Sequence, residues 1–142
     1  MPIPTPEPGL VISYAYLWHY EHQAGQDEGR KDRPSVIVLA VERTDGSTVV
    51  TVLPITHSAP VEPAAAVEIP APIKKHLGLD DARSWVVVSE GNEFDWPGYD
   101  LRKIPGDDNY DFGFLPPRFF NQILEAFLGW HRVRKTRVTP RG

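Results

Sequence analysis

The chain has no cysteine in its 142 residues. That excludes a disulfide framework and a cysteine-rich zinc site, and it fits a reducing compartment. Long apolar runs are missing too. The first twenty residues, MPIPTPEPGLVISYAYLWHY, place no basic stretch ahead of an apolar one. The expectation is no signal peptide, no membrane span and a soluble, cytoplasmic protein. No internal repeat or composition shift marks a boundary, so a single domain over residues 1–142 is expected, long enough to bury one core. An excess of positive charge is also lacking. The formal net charge is -4, which argues against a nucleic-acid binder. The charge is unevenly placed, however. The tail 131–142, HRVRKTRVTPRG, holds five of the fifteen Lys and Arg residues and no acid. The remainder carries ten basic against nineteen acidic residues. Such a tail is either a solvated, partly disordered end or a basic arm for RNA or an acidic partner.

What is present reads mainly as strands. Residues 1–8 are too proline-rich for a regular element. In GLVISYAYLW (9–18), Leu10, Ile12, Tyr14, Tyr16 and Trp18 alternate onto one face, which predicts a strand. The polar HYEHQAGQDEGRKD (19–32) reads as a long, functional loop. SVIVLAVERT (35–44) and STVVTVLPIT (47–56) read as strands around Asp45-Gly46. A short strand is expected in AVEIP (66–70), one or two helical turns in APIKKHLGLDD (71–81), and a central strand in SWVVVSE (84–90). GNEFDWPGYDLRKIP (91–105) reads as irregular, then extended over 101–104. One convincing helix follows Pro116-Pro117, with Phe120, Ile123, Leu124, Phe127 and Trp130 forming an apolar stripe. The expected class is mainly β with a C-terminal helix, folded as a small, strongly bent barrel.

Polar residues sit at both open ends of the apolar hairpin: Arg33 and Ser35 on one strand, Thr56 and Ser58 on the other. A two-residue turn at Asp45-Gly46 would set Thr44 against Ser47, Ser35 against Thr56 and Arg33 against Ser58. Those four side chains would share one face, with Arg33 and Thr56 diagonal neighbours about 7 Å apart. Pro54 lies inside the second strand, where a bulge would shift this register. The structural alternative pairs Arg33 with Asp32 or Glu28 and leaves Thr56 to cap a turn.

These residues carry a resemblance. Gly9-Leu10-Val11-Ile12 opens a strand, and a long polar loop contains Gly29. Arg33-Pro34-Ser35-Val36-Ile37-Val38-Leu39 starts the next strand, and Pro54-Ile55-Thr56-His57-Ser58 closes another. SWVVVSEGNEFDW and FGFLPPRFFNQILEAFLGWH then occupy the places of a central strand and a C-terminal helix. Over residues 9–131 the chain resembles the MazF/PemK (Kid-type) toxins of bacterial toxin–antitoxin systems. The resemblance implies an SH3-like small β-barrel and a homodimer. It implies a metal-independent, mRNA interferase-like endoribonuclease that cuts single-stranded RNA without a cofactor, and a small antitoxin protein whose extended segment covers the RNA site. By resemblance Arg33 and Thr56 are active-site positions. Many members end the central strand with Arg, one residue and Asp; here those places hold Val88, Ser89 and Glu90. The loop is lengthened by Arg30, Lys31 and Asp32, and both termini extend beyond the resemblance.

Metal-free RNA cleavage needs a base for the 2′-hydroxyl, an acid for the departing 5′-oxygen and a cation for the phosphorus charge. Arg33 suits the cation, because its fork matches phosphate oxygens and stays charged. Thr56, with Ser58 behind it, suits a hydrogen bond to phosphate or the 2′-hydroxyl. Glu90 is the candidate base, and otherwise a surface acid at a strand end. The acid is sought among His57, Arg33, His19 and His22; His57 faces away from Thr56 in this register. Arg30 and Lys31 are candidate phosphate contacts. Trp18, Tyr20, Phe94 and Trp96 are either base platforms or packing residues. The competing reading is an inactive SH3-like barrel, a protein- or RNA-binding module with Val88 as the mark of lost chemistry.

Overall fold

The computed structural model describes residues 3–23, 32–134 and 136–141. Its elements run β1 (Leu10–Ala15), α1 (His19–Gln23), β2 (Asp32–Glu42), β3 (Thr48–Thr56), a 3-10 turn (Pro63–Ala65), β4 (Ala66–Glu68), α2 (Ala71–Leu77), β5 (Trp85–Val87), β6 (Glu90–Asp95), β7 (Asp111–Phe114), α3 (Pro117–Arg134) and β8 (Arg137–Arg141). The eight strands form one mainly antiparallel sheet in the order β4-β5-β3-β2-β1-β7. β6 lies beside β3, and β8 pairs with β6 in parallel. Among the described residues the pairings do not close into a ring.

Strand alternation gives β2 and β3 two apolar faces. Val36, Val38, Leu53 and Ile55 pack with Phe119, Ile123 and Phe127 of α3. Ile37, Val50 and Val52 face the other way, onto Tyr14, Tyr16 and Phe94. The α3 stripe is therefore centred at spacing four on Phe119, Ile123 and Phe127. The expected Phe120, Leu124 and Trp130 flank it, partly buried.

Two expected strands are redrawn. SWVVVSE is not one central strand; the chain breaks at Val88-Ser89 into β5 and β6. β5 pairs with the end of β3, and β6 with its start, Val49 to Val52. The irregular stretch expected after Gly91 is thus mostly β6. Gly91 fits there because a Cβ would lie 2.8 Å from the Val52 carbonyl oxygen. The tail is not a disordered end over 137–141: it is strand β8, mostly exposed. Its last arginine, Arg141, makes a buried 2.6 Å salt bridge with Asp100.

The hairpin register also differs. Arg43 and Ser47 close a three-residue loop: Arg43 N–H donates to Ser47 O (2.8 Å) and Gly46 N–H to Arg43 O (3.0 Å). Gly46 holds φ 89°, the left-handed residue that ends such a loop. Glu42 therefore faces Thr48, one step from the expected register. A bulge between Ile37 and Leu39 adds a second step, so that Ser35 faces Pro54. Two one-residue steps cancel in parity. Arg33, Ser35 and Thr56 keep a common face, and the register continued outward puts Arg33 opposite Thr56 rather than diagonal to it.

Ile123 is fully buried between α3 and the sheet. Ile123→Ala is expected to cost roughly 2–5 kcal/mol of stability, read from denaturant midpoints.

Candidate functional site: two grooves beside a strand fork

The β2–β3 ladder ends at Ser35 and Pro54. Pro34 lacks an N–H and so removes the ladder donor that would face β3 at this point. Beyond it, β2 stays with β1 (Pro34 against Ser13, Arg33 against Tyr14). β3 turns instead to β5 (Ile55 against Val86, Thr56 against Trp85). The fork opens a groove of about 740 Å³. Arg33, Thr56, His57 and Ser58 line it at the fork. Trp18 and Tyr20 form one wall, Asp80 and Ser84 another.

The Arg33 guanidinium lies over the Trp18 ring, 4.9 Å from its centre. Its Nε is buried and without a hydrogen-bond partner among the described residues. Burial pulls its pKa below the ordinary arginine value, and Glu21, Tyr20 and Tyr16 pull it back up. Arginine stays charged through such a shift. Thr56 Oγ1 accepts the Ser58 N–H (3.2 Å), which leaves the hydroxyl proton free to donate. His57 lines the same groove rather than facing away. Both its nitrogens are engaged: Nδ1 with the Arg83 carbonyl oxygen at 2.9 Å and Nε2 with the Asp80 carboxylate at 3.0 Å. That binding ties the loop before β5 to the end of β3 and counts against His57 as the proton donor.

Trp18 and Tyr20 are positioned by α1, which sequence patterning missed. The signal was present as Trp18-x-x-Glu21. The buried Glu21 carboxylate accepts the Trp18 N–H (3.0 Å), the half of a capping box in which an acid reaches back to the N-cap amide. The following amide, His19 N–H, donates to Glu90 Oε1 at 3.0 Å. Tyr16 OH donates to the same oxygen at 2.9 Å. Two residues along β6, Asn92 accepts the Leu17 N–H (2.9 Å) and donates to the Leu17 carbonyl (2.8 Å). Glu90 and Asn92 thus clamp the 16–19 segment to β6.

Glu90 lines a second groove, of about 480 Å³, next to the first. Tyr20, mostly exposed, lines both. Burial raises the Glu90 pKa above the ordinary glutamate range; the His19 amide, the Tyr16 hydroxyl and Arg137 partly offset it. Glu90 Oε2 has no hydrogen-bond partner among the described residues. A ring contact links the two grooves: Tyr16 meets Trp18 edge-on with centroids 5.0 Å apart, and Trp18 carries Arg33.

Of the expected site residues, Arg33, Thr56, His57 and Ser58 come together at the fork, and Glu90 stands in the adjoining groove. Arg30 and Lys31 lie outside the described residues. Val88 is fully buried in the core beneath α3. Sequence reasoning missed Arg137, although it flagged the tail: the parallel register sets Arg137 beside Glu90. Among the described residues, no group of three or more His, Asp or Glu side chains is placed to hold a metal ion. No family model and no curated protein matches the chain.

The raised Glu90 pKa has a sign. The folded state holds this proton more tightly than the unfolded chain. The associated stability is present below the ordinary glutamate pKa and is lost as pH rises through the raised value. Glu90→Gln keeps an acceptor for Tyr16 and His19 but carries no charge. Its melting temperature is expected to exceed the unaltered protein's near neutral pH, with the difference shrinking towards about pH 4. A thermal melt series across pH reads this directly.

Proposed function

We propose that the protein is the toxin component of a type II toxin–antitoxin system. In this reading it is a metal-independent endoribonuclease of the MazF/PemK type that cuts single-stranded RNA in the cytoplasm. The observation that carries the reading is the gathering of Arg33, Thr56 and Ser58 at the β2–β3 fork, with Arg33 laid over Trp18. The bent sheet, with β3 shared between β2, β5 and β6, and the C-terminal helix are what support an SH3-like barrel. The homodimer and the small antitoxin, laid as an extended segment over the grooves, rest on the resemblance.

The chemistry follows from the residues. The 2′-hydroxyl oxygen attacks the adjacent phosphorus and the bond to the 5′-oxygen breaks. The departing 5′-oxygen takes a proton from solvent water, and the products are a 2′,3′-cyclic phosphate and a free 5′-hydroxyl. Arg33 neutralises the phosphate oxygens as charge builds there. Thr56 donates to a phosphate oxygen or orients the 2′-hydroxyl. Glu90 takes the 2′-hydroxyl proton, suited to this by its raised pKa. Its place in the adjoining groove requires the strand to pass over Tyr20.

One observation favours the alternative of an inactive binding module. Glu90 Oε1 is committed to Tyr16 and His19, and such a clamp would persist without chemistry.

The separating experiment is cleavage of a mixed-sequence single-stranded RNA in EDTA. Cyclic phosphate ends are expected, with Arg33→Ala slower by about 10²–10³-fold. The rate is expected to rise with pH through the Glu90 titration, and Glu90→Gln to remove that rise. A folded protein that cuts no RNA across several sequences would point to the binding module.

A further inference from the structure

The second groove contains a cationic site that the proposed chemistry leaves unused. Arg137 is exposed on β8, beside Glu90 in the parallel register. Its side chain makes no hydrogen bond or salt bridge among the described residues. Arg134 stands on the same groove, with its guanidinium over Trp130 (4.6 Å) and a looser pair to Glu62 (3.4 Å). Glu90 stands beside Arg137 and Glu62 pairs with Arg134, so Arg137 is the guanidinium of this groove without an ion pair among the described residues. Tyr20, 64% exposed, stands between them with a free aromatic surface.

We propose that this groove is a second nucleotide subsite, in which Arg137, supported by Arg134, binds the phosphate next to the scissile one. Tyr20 stacks the intervening base. Arg137 is here a substrate-binding residue, and it supplies from the C-terminal strand a cation that the buried Val88 does not supply. The inference rests on the ribonuclease reading and adds the path of the strand. A chain with one internal phosphate places it on Arg33 and has none for Arg137. A longer chain passes Tyr20 and gains the second contact.

The test is fluorescence anisotropy with labelled, mixed-sequence, 2′-deoxy-substituted strands that offer no nucleophile. One probe is a dinucleotide, the other a pentanucleotide. The full chain is expected to bind the longer probe at least about tenfold more tightly. Arg137→Ala is expected to remove that gain, leave dinucleotide binding unchanged, and reduce the salt dependence of the longer probe by about 0.7, one phosphate contact. Arg137→Lys keeps the salt slope and loses part of the affinity, because a point charge replaces a fork. The Arg137 side chain is exposed, so folding should survive; thermal melts check this, and Arg137→Gln, which keeps the stem, stands in if the alanine variant melts early. Equal binding of both probes by Arg137→Ala and the unaltered chain, with Arg33→Ala weakening both, would overturn the second subsite alone. Failure of the unaltered chain to bind either probe would overturn the ribonuclease reading and the subsite with it.

Discussion

Where β2 and β3 stop pairing, the chain commits its two polar strand ends to different neighbours. Pro34 removes the ladder donor that would face β3 at that point, so the hairpin cannot extend there without loss. β2 keeps β1, and β3 takes β5. Arg33 and Thr56 consequently face a groove and not each other across a closed ladder. Every feature of the site hangs on this divergence. A fully zipped hairpin would leave no groove between these strand ends.

The second constraint is the clamp from β6. Asn92 and Glu90 hold residues 17 and 19, which fixes the start of α1 and with it Trp18 and Tyr20. Trp18 in turn supports the Arg33 guanidinium. A partly buried carboxylate is costly to keep charged, and the raised Glu90 pKa expresses that cost, only partly offset by the amide it holds. The same group would serve as a base in the proposed mechanism. A residue with both duties is the kind whose removal stabilises a fold while stopping its chemistry.

Strand and helix content was legible in the sequence, because alternation and spacing are strong over Leu10–Ala15, β2, β3 and α3. The hairpin register was not. Asp45-Gly46 fits both a two-residue and a three-residue loop, and the bulge at Ile37–Leu39 leaves no mark in an unbroken apolar run. The expected face survived because two single-residue steps restore parity. α1 was hidden in a polar stretch, although Trp18-x-x-Glu21 carried the capping signal. β6 was hidden because Glu90 to Asp95 is polar at several positions; its inward side is supplied by Asn92 and Phe94. Composition left the tail open between a solvated, partly disordered end and a basic arm; the strand over 137–141 and the Arg141–Asp100 pair rest on long-range contacts that composition does not show. Of the site, Arg33, Thr56 and Ser58 were legible. Arg137 was not, because its closeness to Glu90 is a long-range pairing.

The central claim is that single-stranded RNA occupies the fork groove with its phosphate on Arg33. The most direct measurement is an amide and indole NMR titration of the folded protein with a non-cleavable single-stranded RNA. The account predicts saturable shifts at the Trp18 indole and at the Thr56 and Ser58 amides, all lost in Arg33→Ala. Shifts confined to another surface, or none at saturating RNA, would contradict it.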